Sequence, residues 1–421
     1  NSLVFERVGT NTNVTIEWSV VEFVSGVSVQ RGTEPLNLPT KNVTISSVDL
    51  TKSFSLATLR IGGTVTSDDD FVRARLTSST NLELAAFNDR ADATIEWQVV
   101  EYADASVQAG DLSFLSGDAT KMASIPVAVD PAKAWLIYTY RSAVGTQSDT
   151  GQKLVRGLIT GPTGLQFDRD RTGQAIDLAW QLVEFEDLTT VQHANAAFSN
   201  AELQKDVPIS AVTPSYSIAV GGYSTRGGKS PFGTTDHTGV GWFTSELTSG
   251  TNLRLRRDFT GSSTADLGWF VIQFSPALTI SGTIFEDVNY GGGAGRDQAT
   301  SSGVARSGAR VELYDATGTY VTFTTTDGSG NYSFSGLATA NYTVRVVNST
   351  VTSSRTGYGP GLLSVQTYRT DASSGSVVAD TARVGGQDPS VTDAGNGSAG
   401  AIMNTTTGVF TAVITGTAPV S

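Results

Sequence analysis

The stretch that decides the fold is Thr94-Ile-Glu-Trp-Gln-Val-Val-Glu-Tyr102. Side chains of an extended strand alternate between two faces, so Trp97 shares one face with Ile95 and Val99. The other face carries Val100. A short run that is apolar on both faces is typical of a buried strand, so we predict a central strand of a sheet.

This strand occurs four times along the chain. The other three copies are Thr15-Ile-Glu-Trp-Ser-Val-Val-Glu-Phe23, Asp177-Leu-Ala-Trp-Gln-Leu-Val-Glu-Phe185 and Asp266-Leu-Gly-Trp-Phe-Val-Ile-Gln-Phe274. Successive copies lie roughly 80–90 residues apart, a distance that indicates repeated small domains. The shared tryptophan lies on a face with Ile and Val, which favours a core side chain over a sugar-stacking platform.

Two further signatures define the repeat. A Leu-containing strand precedes each Trp strand, at residues 2–5, 81–84, 164–167 and 252–255, and the two strands are predicted to form a hairpin or a neighbouring pair. A Val-Gln step follows each of the first three Trp strands, at Val29-Gln30, Val107-Gln108 and Val191-Gln192. The unit therefore runs from a Val-Gln strand to the end of the next Trp strand.

These patterns predict an all-β protein built from tandem β-sandwich repeats, because Thr, Val and aromatic runs alternate with Gly, Asn, Asp and Ser clusters. The predicted repeats are 24–102, 103–185 and 186–277, preceded by a partial repeat at 1–23. The layout of residues 1–277, with a Trp strand near the end of each unit, resembles that of H-type lectin sandwiches. No binding motif of those lectins is present.

The partial repeat contains only the last two strands of a unit, and two strands alone cannot bury an apolar face. The preferred interpretation is that the sequence was cut from a longer chain. The alternative is that another chain or a neighbouring unit supplies the missing strands, as in fibre assembly by strand addition. Residues 353–421 are rich in Ser and Gly, and they end in a predicted strand at 408–415 for which the sequence offers no partner.

Residues 278–352 have a different pattern. Their most specific elements are Phe285-Glu-Asp-Val-Asn289 and Asp327-Gly-Ser-Gly-Asn-Tyr-Ser-Phe334. The segment resembles the B-type repeat domains of bacterial surface adhesins, the Cna-B and SD-repeat B family. The resemblance implies a small prealbumin-like (Cna-B type) β-sandwich that spaces and stiffens surface proteins.

The resemblance also implies two kinds of chemistry. Some members close a Lys–Asn isopeptide bond, which is excluded here because residues 278–352 contain no Lys. Others bind Ca²⁺ through alternating Asp and Asn residues after the first strand, since Ca²⁺ takes six to eight oxygen ligands. Asp287 and Asn289 match that pattern, and Asp297 and Asp327 are the further candidate metal ligands. The alternative is that these side chains only bond local backbone N–H groups in turns.

Composition excludes several function classes. The 421 residues contain 40 acidic and 28 basic side chains, and a net charge of -12 repels nucleic acid. No cysteine is present, so disulfides and thiolate sites are excluded. The two histidines are too few to favour a catalytic triad or a multi-His zinc site. The sequence has no run of 18 apolar residues, which a membrane span would need.

A repeated acidic position could suggest an enzyme. Glu22, Glu101 and Glu184 occupy the same place in three copies, but the fourth copy has Gln273, which has no proton chemistry. A structural role is therefore favoured and no enzyme is predicted. Trp135 and Trp242 lie outside the repeat register, which makes them the better candidates for a binding surface.

The sequence thus predicts a non-enzymatic, secreted protein of the bacterial cell surface. We expect a structural part of a surface fibre, stalk or layer, a polymer or filament that self-assembles through β-strand edges. The expected partners are copies of itself, with no nucleic acid and no membrane span. The alternative function is a carbohydrate-binding surface adhesin with a glycan partner. Ca²⁺ is the one cofactor that the sequence suggests.

Overall fold

The computed structural model describes residues 3–6, 14–23, 26–60, 70–88, 93–143, 150–225, 240–260, 263–274, 278–288, 295–337, 340–347, 350–359, 368–370, 377–379 and 407–413. These residues form antiparallel β-strands joined by turns and three short 3₁₀ helices, at Pro131–Lys133, Thr150–Gln152 and Pro214–Tyr216. The chain divides into two compact units, Asn1–Ser275 and Pro276–Ser421. The prediction of an all-β fold is confirmed.

The first unit contains eighteen strands in its described residues, six for each complete copy of the repeat. The first set is β1 (Val27–Pro35), β2 (Thr40–Thr44), β3 (Ser53–Arg60), β4 (Arg73–Ser78), β5 (Asn81–Ala85) and β6 (Thr94–Tyr102). The second is β7 (Ala105–Phe114), β8 (Thr120–Ser124), β9 (Ala134–Ser142), β10 (Arg156–Gly161), β11 (Gly164–Asp168) and β12 (Ile176–Phe185). The third is β13 (Thr190–Phe198), β14 (Gln204–Pro208), β15 (Ser217–Thr225), β16 (Thr244–Ser249), β17 (Asn252–Arg256) and β18 (Ala265–Gln273).

Each set forms two three-stranded sheets. The Trp strand is the middle strand of one sheet in every set (β1-β6-β3, β7-β12-β9 and β13-β18-β15), as its two apolar faces predict. The Leu strand is the middle strand of the other sheet (β2-β5-β4, β10-β11-β8 and β14-β17-β16). The predicted hairpin is therefore wrong. Each of the two strands needs two hydrogen-bonded neighbours, so the chain crosses from one sheet to the other between them.

Two sequence features of the repeats have direct structural causes. Gly110 lies opposite Trp180 in the sheet, and a Cβ atom on it would come within 2.6 Å of the indole ring. Gly32 and Trp97 make the same arrangement in the first set. In these two sets the position opposite the tryptophan therefore requires a residue without a side chain, whereas the third set has Ala194 opposite Trp269.

The Gln of the Val-Gln step fastens a loop. In the second set, Gln108 Nε2 donates to the Val127 carbonyl and Gln108 Oε1 accepts from the Val127 N–H, both at 2.8 Å. Gln30 and Gln192 make the same paired bonds, with Ser46 and Ser210. One amide side chain thus satisfies both backbone groups of a residue that lies outside the sheet ladders.

The repeats of the first unit share a core. Phe23, Tyr102, Phe185 and Phe274 end the four Trp strands, and their rings form a closed circuit of contacts. The centroid distances around the circuit are 5.3, 5.4, 6.0 and 5.2 Å. The apolar ends of the Trp strands converge, and one hydrophobic cluster runs through all the repeats.

Specific bonds join successive repeats. The hydroxyl of Thr139, on β9, accepts from the backbone N–H of Ala74 and donates to the carbonyl of Ala74, on β4. Gln181, buried on β12, bonds the backbone N–H and carbonyl of Ser55, on β3. Strand β4 therefore lies over the Trp-strand sheet of the next repeat, and β10 lies over β15 and β18 in the same way.

The second unit has its own core around Ile280, Val311, Leu313 and Val344. Its described strands are β19 (Leu278–Thr283), β20 (Phe285–Glu286), β21 (Val304–Ala305), β22 (Arg310–Tyr314), β23 (Tyr320–Thr325), β24 (Asn331–Leu337), β25 (Asn341–Val347), β26 (Tyr368–Thr370), β27 (Val377–Ala379) and β28 (Thr407–Val413). Strand β28 pairs with β25 at the edge of the sheet β23-β22-β25-β28. The predicted terminal strand thus has a partner within the chain, and the expectation that it lacks one is wrong.

Candidate assembly site

Residues 3–6 and 14–23, here called the half-repeat, expose the side chains that the complete repeats bury. Trp18 is 61% exposed, whereas Trp97, Trp180 and Trp269 are 5–8% exposed. Val14, Ile16 and Val20, which alternate with Trp18, are also exposed. The same strand motif is therefore a core strand in three places and an exposed apolar segment in the fourth.

The half-repeat corresponds to two middle strands. Its counterparts in the first set are β5 and β6, each of which is bonded on both edges. Within the part of the chain that the structure describes, no strand is paired with residues 3–6 or 14–23. Phe5 approaches Trp18 at a ring distance of 6.4 Å, and Glu6 lies 3.7 Å from Arg60. Both segments thus present backbone edges, and Phe23 anchors the end of the second segment in the aromatic circuit.

Among the described residues, no strand covers one sheet face of the first complete repeat. In the second set this face is covered by β4, which bonds to Thr139. Counted from the tryptophans, Thr58 is the counterpart of Thr139, because Thr58 lies opposite Glu96 and Thr139 lies opposite Ala179. Around Thr58 the face forms a groove of about 260 Å³ that includes Trp97. Arg60, which contacts the half-repeat, ends the same strand.

The repeated acidic position caps the backbone. Glu101, Glu184 and Gln273 each accept a hydrogen bond from a loop N–H, with oxygen-to-nitrogen distances of 3.2, 2.7 and 2.7 Å. The donors are Asp49, Asp130 and Thr213, which precede the third strand of each set. A glutamine performs this task as well as a glutamate because only an acceptor oxygen is needed. The geometry fits the structural role that the sequence favoured.

The two candidate binding tryptophans differ. Trp135 is 7% exposed and packs against Phe54 at a ring distance of 5.7 Å, so its placement on a binding surface is wrong. The Trp135 side chain is buried by apolar contacts between two successive repeats. Trp242 is 50% exposed beside Tyr223.

Each of the described candidate metal ligands has its own hydrogen-bond partners. Asp287 is bound by Arg296, Asp297 accepts from the N–H and hydroxyl of Thr300, and Asp327 accepts from the N–H groups of Ser329 and Asn331. Among the described residues, no group of three His, Cys, Asp or Glu side chains is placed to hold a metal ion. Asn289 lies outside the described residues. The calcium site stays a prediction.

A second acid stands beside Asp287. Burial raises the pKa of Glu286, but hydrogen bonds from Ser353 and Ser354, together with the charge of Arg306, outweigh this effect and hold its pKa below the ordinary value. Glu286 is therefore ionised near neutral pH, and an ionised acid here needs the cations that surround it.

Residues 278–402 match the SdrD B-like domain family. The resemblance of residues 278–352 to B-type adhesin domains is confirmed, and the match continues to residue 402. The matched segment, here called the B-like module, supports a structural role at the cell surface. The lectin-like layout and the repeat boundaries of residues 1–277 stay predictions.

Two solved structures are similar to the chain at low sequence identity. The chain is similar to the backbone protein of the group B streptococcus pilus 2b, at 12% identity over 58% of this chain and 78% of that chain, with a TM-score of 0.20. It is also similar to BcpA, the major pilin subunit of Bacillus cereus, at 7% identity over 72% and 90% of the two chains, with a TM-score of 0.21.

No curated protein matches the chain. Within the described residues, no helix has the length and apolar character that a bilayer crossing requires.

Proposed function

We propose that the protein is a secreted structural element of a bacterial surface fibre, stalk or layer, and that copies of it associate through the half-repeat. The exposure of Trp18, set against the burial of its three counterparts, is the observation that carries this proposal. The B-like module supports the cell-surface setting. No enzymatic activity is part of the proposal.

The driving force would combine two terms. Exposed Val14, Ile16, Trp18 and Val20 would lose apolar surface to a neighbour, and burial stabilises by roughly 25 cal/mol per Å² of apolar surface. Backbone groups of the same segment that have no strand partner among the described residues would gain partners by strand addition, which fixes register as well as affinity. Its counterparts β5 and β6 are bonded on both edges, whereas no described strand pairs with the half-repeat, so it is suited to this kind of contact.

Light scattering of the purified chain over a range of concentrations, combined with size-exclusion chromatography, tests the proposal. We expect wild-type protein to associate as its concentration rises, and Trp18→Glu to remain monomeric, because a carboxylate would be buried unpaired in the contact. Trp242→Glu is the matched control, since Trp242 is 50% exposed and lies outside the half-repeat. A wild-type chain that is monomeric throughout, or equal association of Trp18→Glu and wild type, would contradict the proposal.

A further inference from the structure

The residues described at the predicted calcium position do not fit the ion. Both carboxylate oxygens of Asp287 are already occupied by a guanidinium group. Arg296 Nη2 donates to Oδ1 at 2.7 Å and Arg296 Nε donates to Oδ2 at 3.1 Å. The Asp287 side chain is 7% exposed and the Arg296 side chain 36%, so only the carboxylate end of this bidentate bond is buried.

The neighbouring acid is occupied in the same manner. Glu286 Oε2 lies 2.5 Å from Arg306 Nη2, and it accepts from both the N–H and the hydroxyl of Ser354 at 2.9 Å. Its Oε1 accepts from the hydroxyl of Ser353. Arg355 Nη2 donates to the Asp287 carbonyl at 2.6 Å. The turn is thus surrounded by three guanidinium groups.

The balance of charges around Asp287 disfavours a divalent cation. Two carboxylates face three arginines, so this group of side chains already has a net positive charge. Ca²⁺ needs six to eight oxygen ligands and draws much of its affinity from carboxylates. Here the carboxylate oxygens accept from N–H and O–H donors, and an incoming ion would have to displace arginines whose charge cannot be titrated away.

We propose that Arg296, Arg306 and Arg355 take the structural place of a calcium ion in the B-like module. They join Glu286 on β20 and the adjacent Asp287 to the segment 353–355 and to the chain just after β21. The module is then held by permanent charges of the chain itself, and its stability does not depend on the calcium concentration outside the cell.

The two units can be followed separately in one experiment on the full chain. All six tryptophans lie before residue 276, so tryptophan fluorescence reports only the first unit. Thermal unfolding seen by circular dichroism, but not by tryptophan fluorescence, then belongs to the second unit. We expect this transition to have the same midpoint in millimolar CaCl₂ and in millimolar EDTA, and isothermal titration of wild-type protein with CaCl₂ to give no binding heat.

Arginine variants test the other half of the proposal. Arg306→Gln leaves Glu286 without its buried ionic partner, and we expect the midpoint of the second unit to fall by roughly 5 °C or more. Arg310→Gln is the control, because Arg310 pairs with Glu312 in the same module but outside this group of charges. Arg306→Lys keeps the charge and is expected to restore part of the loss.

Three results would overturn the proposal. They are a midpoint raised by CaCl₂ or lowered by EDTA, a binding isotherm for calcium on the wild-type chain, and equal midpoints for Arg306→Gln and Arg310→Gln. The calcium measurements use wild-type protein, so they remain decisive even if Arg306→Gln does not fold. None of them depends on self-association through the half-repeat.

Discussion

The aromatic circuit predicts that the repeats of the first unit unfold together. Phe185 is 1% exposed and lies between Tyr102 of the preceding repeat and Phe274 of the following one. Phe185→Ala removes a ring from the place where the Trp strands converge. The surrounding side chains belong to different repeats and cannot collapse into the space without moving those repeats, so we expect a cavity to remain.

The magnitude follows from the burial. Replacing a fully buried Phe by Ala costs about 3–5 kcal/mol, of which part is lost transfer free energy and part is the residual cavity. If the repeats share their stability, the opening equilibrium of all three shifts by that amount. Each 1.4 kcal/mol is a factor of ten, so exchange of their most protected amide hydrogens should accelerate by roughly two to four orders of magnitude.

Hydrogen exchange with mass spectrometry reads each repeat separately. We expect faster exchange in β6 and β18 as well as in β12, because Phe185→Ala weakens contacts with both neighbours. Leu115→Ala is the control in the same repeat, since Leu115 is 67% exposed and its loss should change stability by less than about 0.5 kcal/mol. Faster exchange confined to β7–β12 would show that the repeats are independent, and would refute the shared core.

Two further predictions follow from single positions. Gly110→Val should destabilise the first unit by about 1–3 kcal/mol in urea unfolding, because its Cβ would meet the Trp180 ring at 2.6 Å. Gly117→Val should be close to neutral, because a Cβ at Gly117 would meet no atom within 4 Å. Equal losses of stability in the two variants would contradict this account of Gly110. Burial lowers the pKa of His193, and a weaker, opposing effect comes from its bond to the Pro131 backbone. Stability should therefore fall as pH drops below about 6.5, where the unfolded chain takes up the proton first. His193→Gln should flatten that dependence in thermal unfolding measured against pH, and an unchanged slope would exclude His193 as its source.

The sequence predicted the middle strands well because the apolar pattern that marks them lies in consecutive residues. A strand that is apolar on two faces needs a neighbour on each edge, and β6, β12 and β18 have them. The sequence also assigned a structural role to the repeated Glu position, since a glutamine in the fourth copy leaves only the acceptor oxygen in common. The loop N–H groups that use this oxygen could not be read from the sequence, because they lie about fifty to sixty residues away along the chain.

Predictions that depended on contacts between distant parts of the chain were less successful. Trp135 lies outside the repeat register, and sequence reasoning placed it on the surface, but it fills the junction between two repeats against Phe54. The strand at 407–413 had no visible partner in the sequence, yet β25 provides one. Pairing between segments distant along the chain leaves no periodic trace in either of them.

By itself, the sequence determined the β-strands, their repetition and the identity of the B-like module, because period-two alternation and short turn motifs are properties of consecutive residues. Only the tertiary structure decided that side chains of all the repeats meet in one hydrophobic cluster and that Trp18 is exposed while its counterparts are buried. It also decided that arginines surround the acidic turn. Each of these facts depends on which distant side chains reach the same point in space, and the burial of an apolar ring or the pairing of a charge is set there.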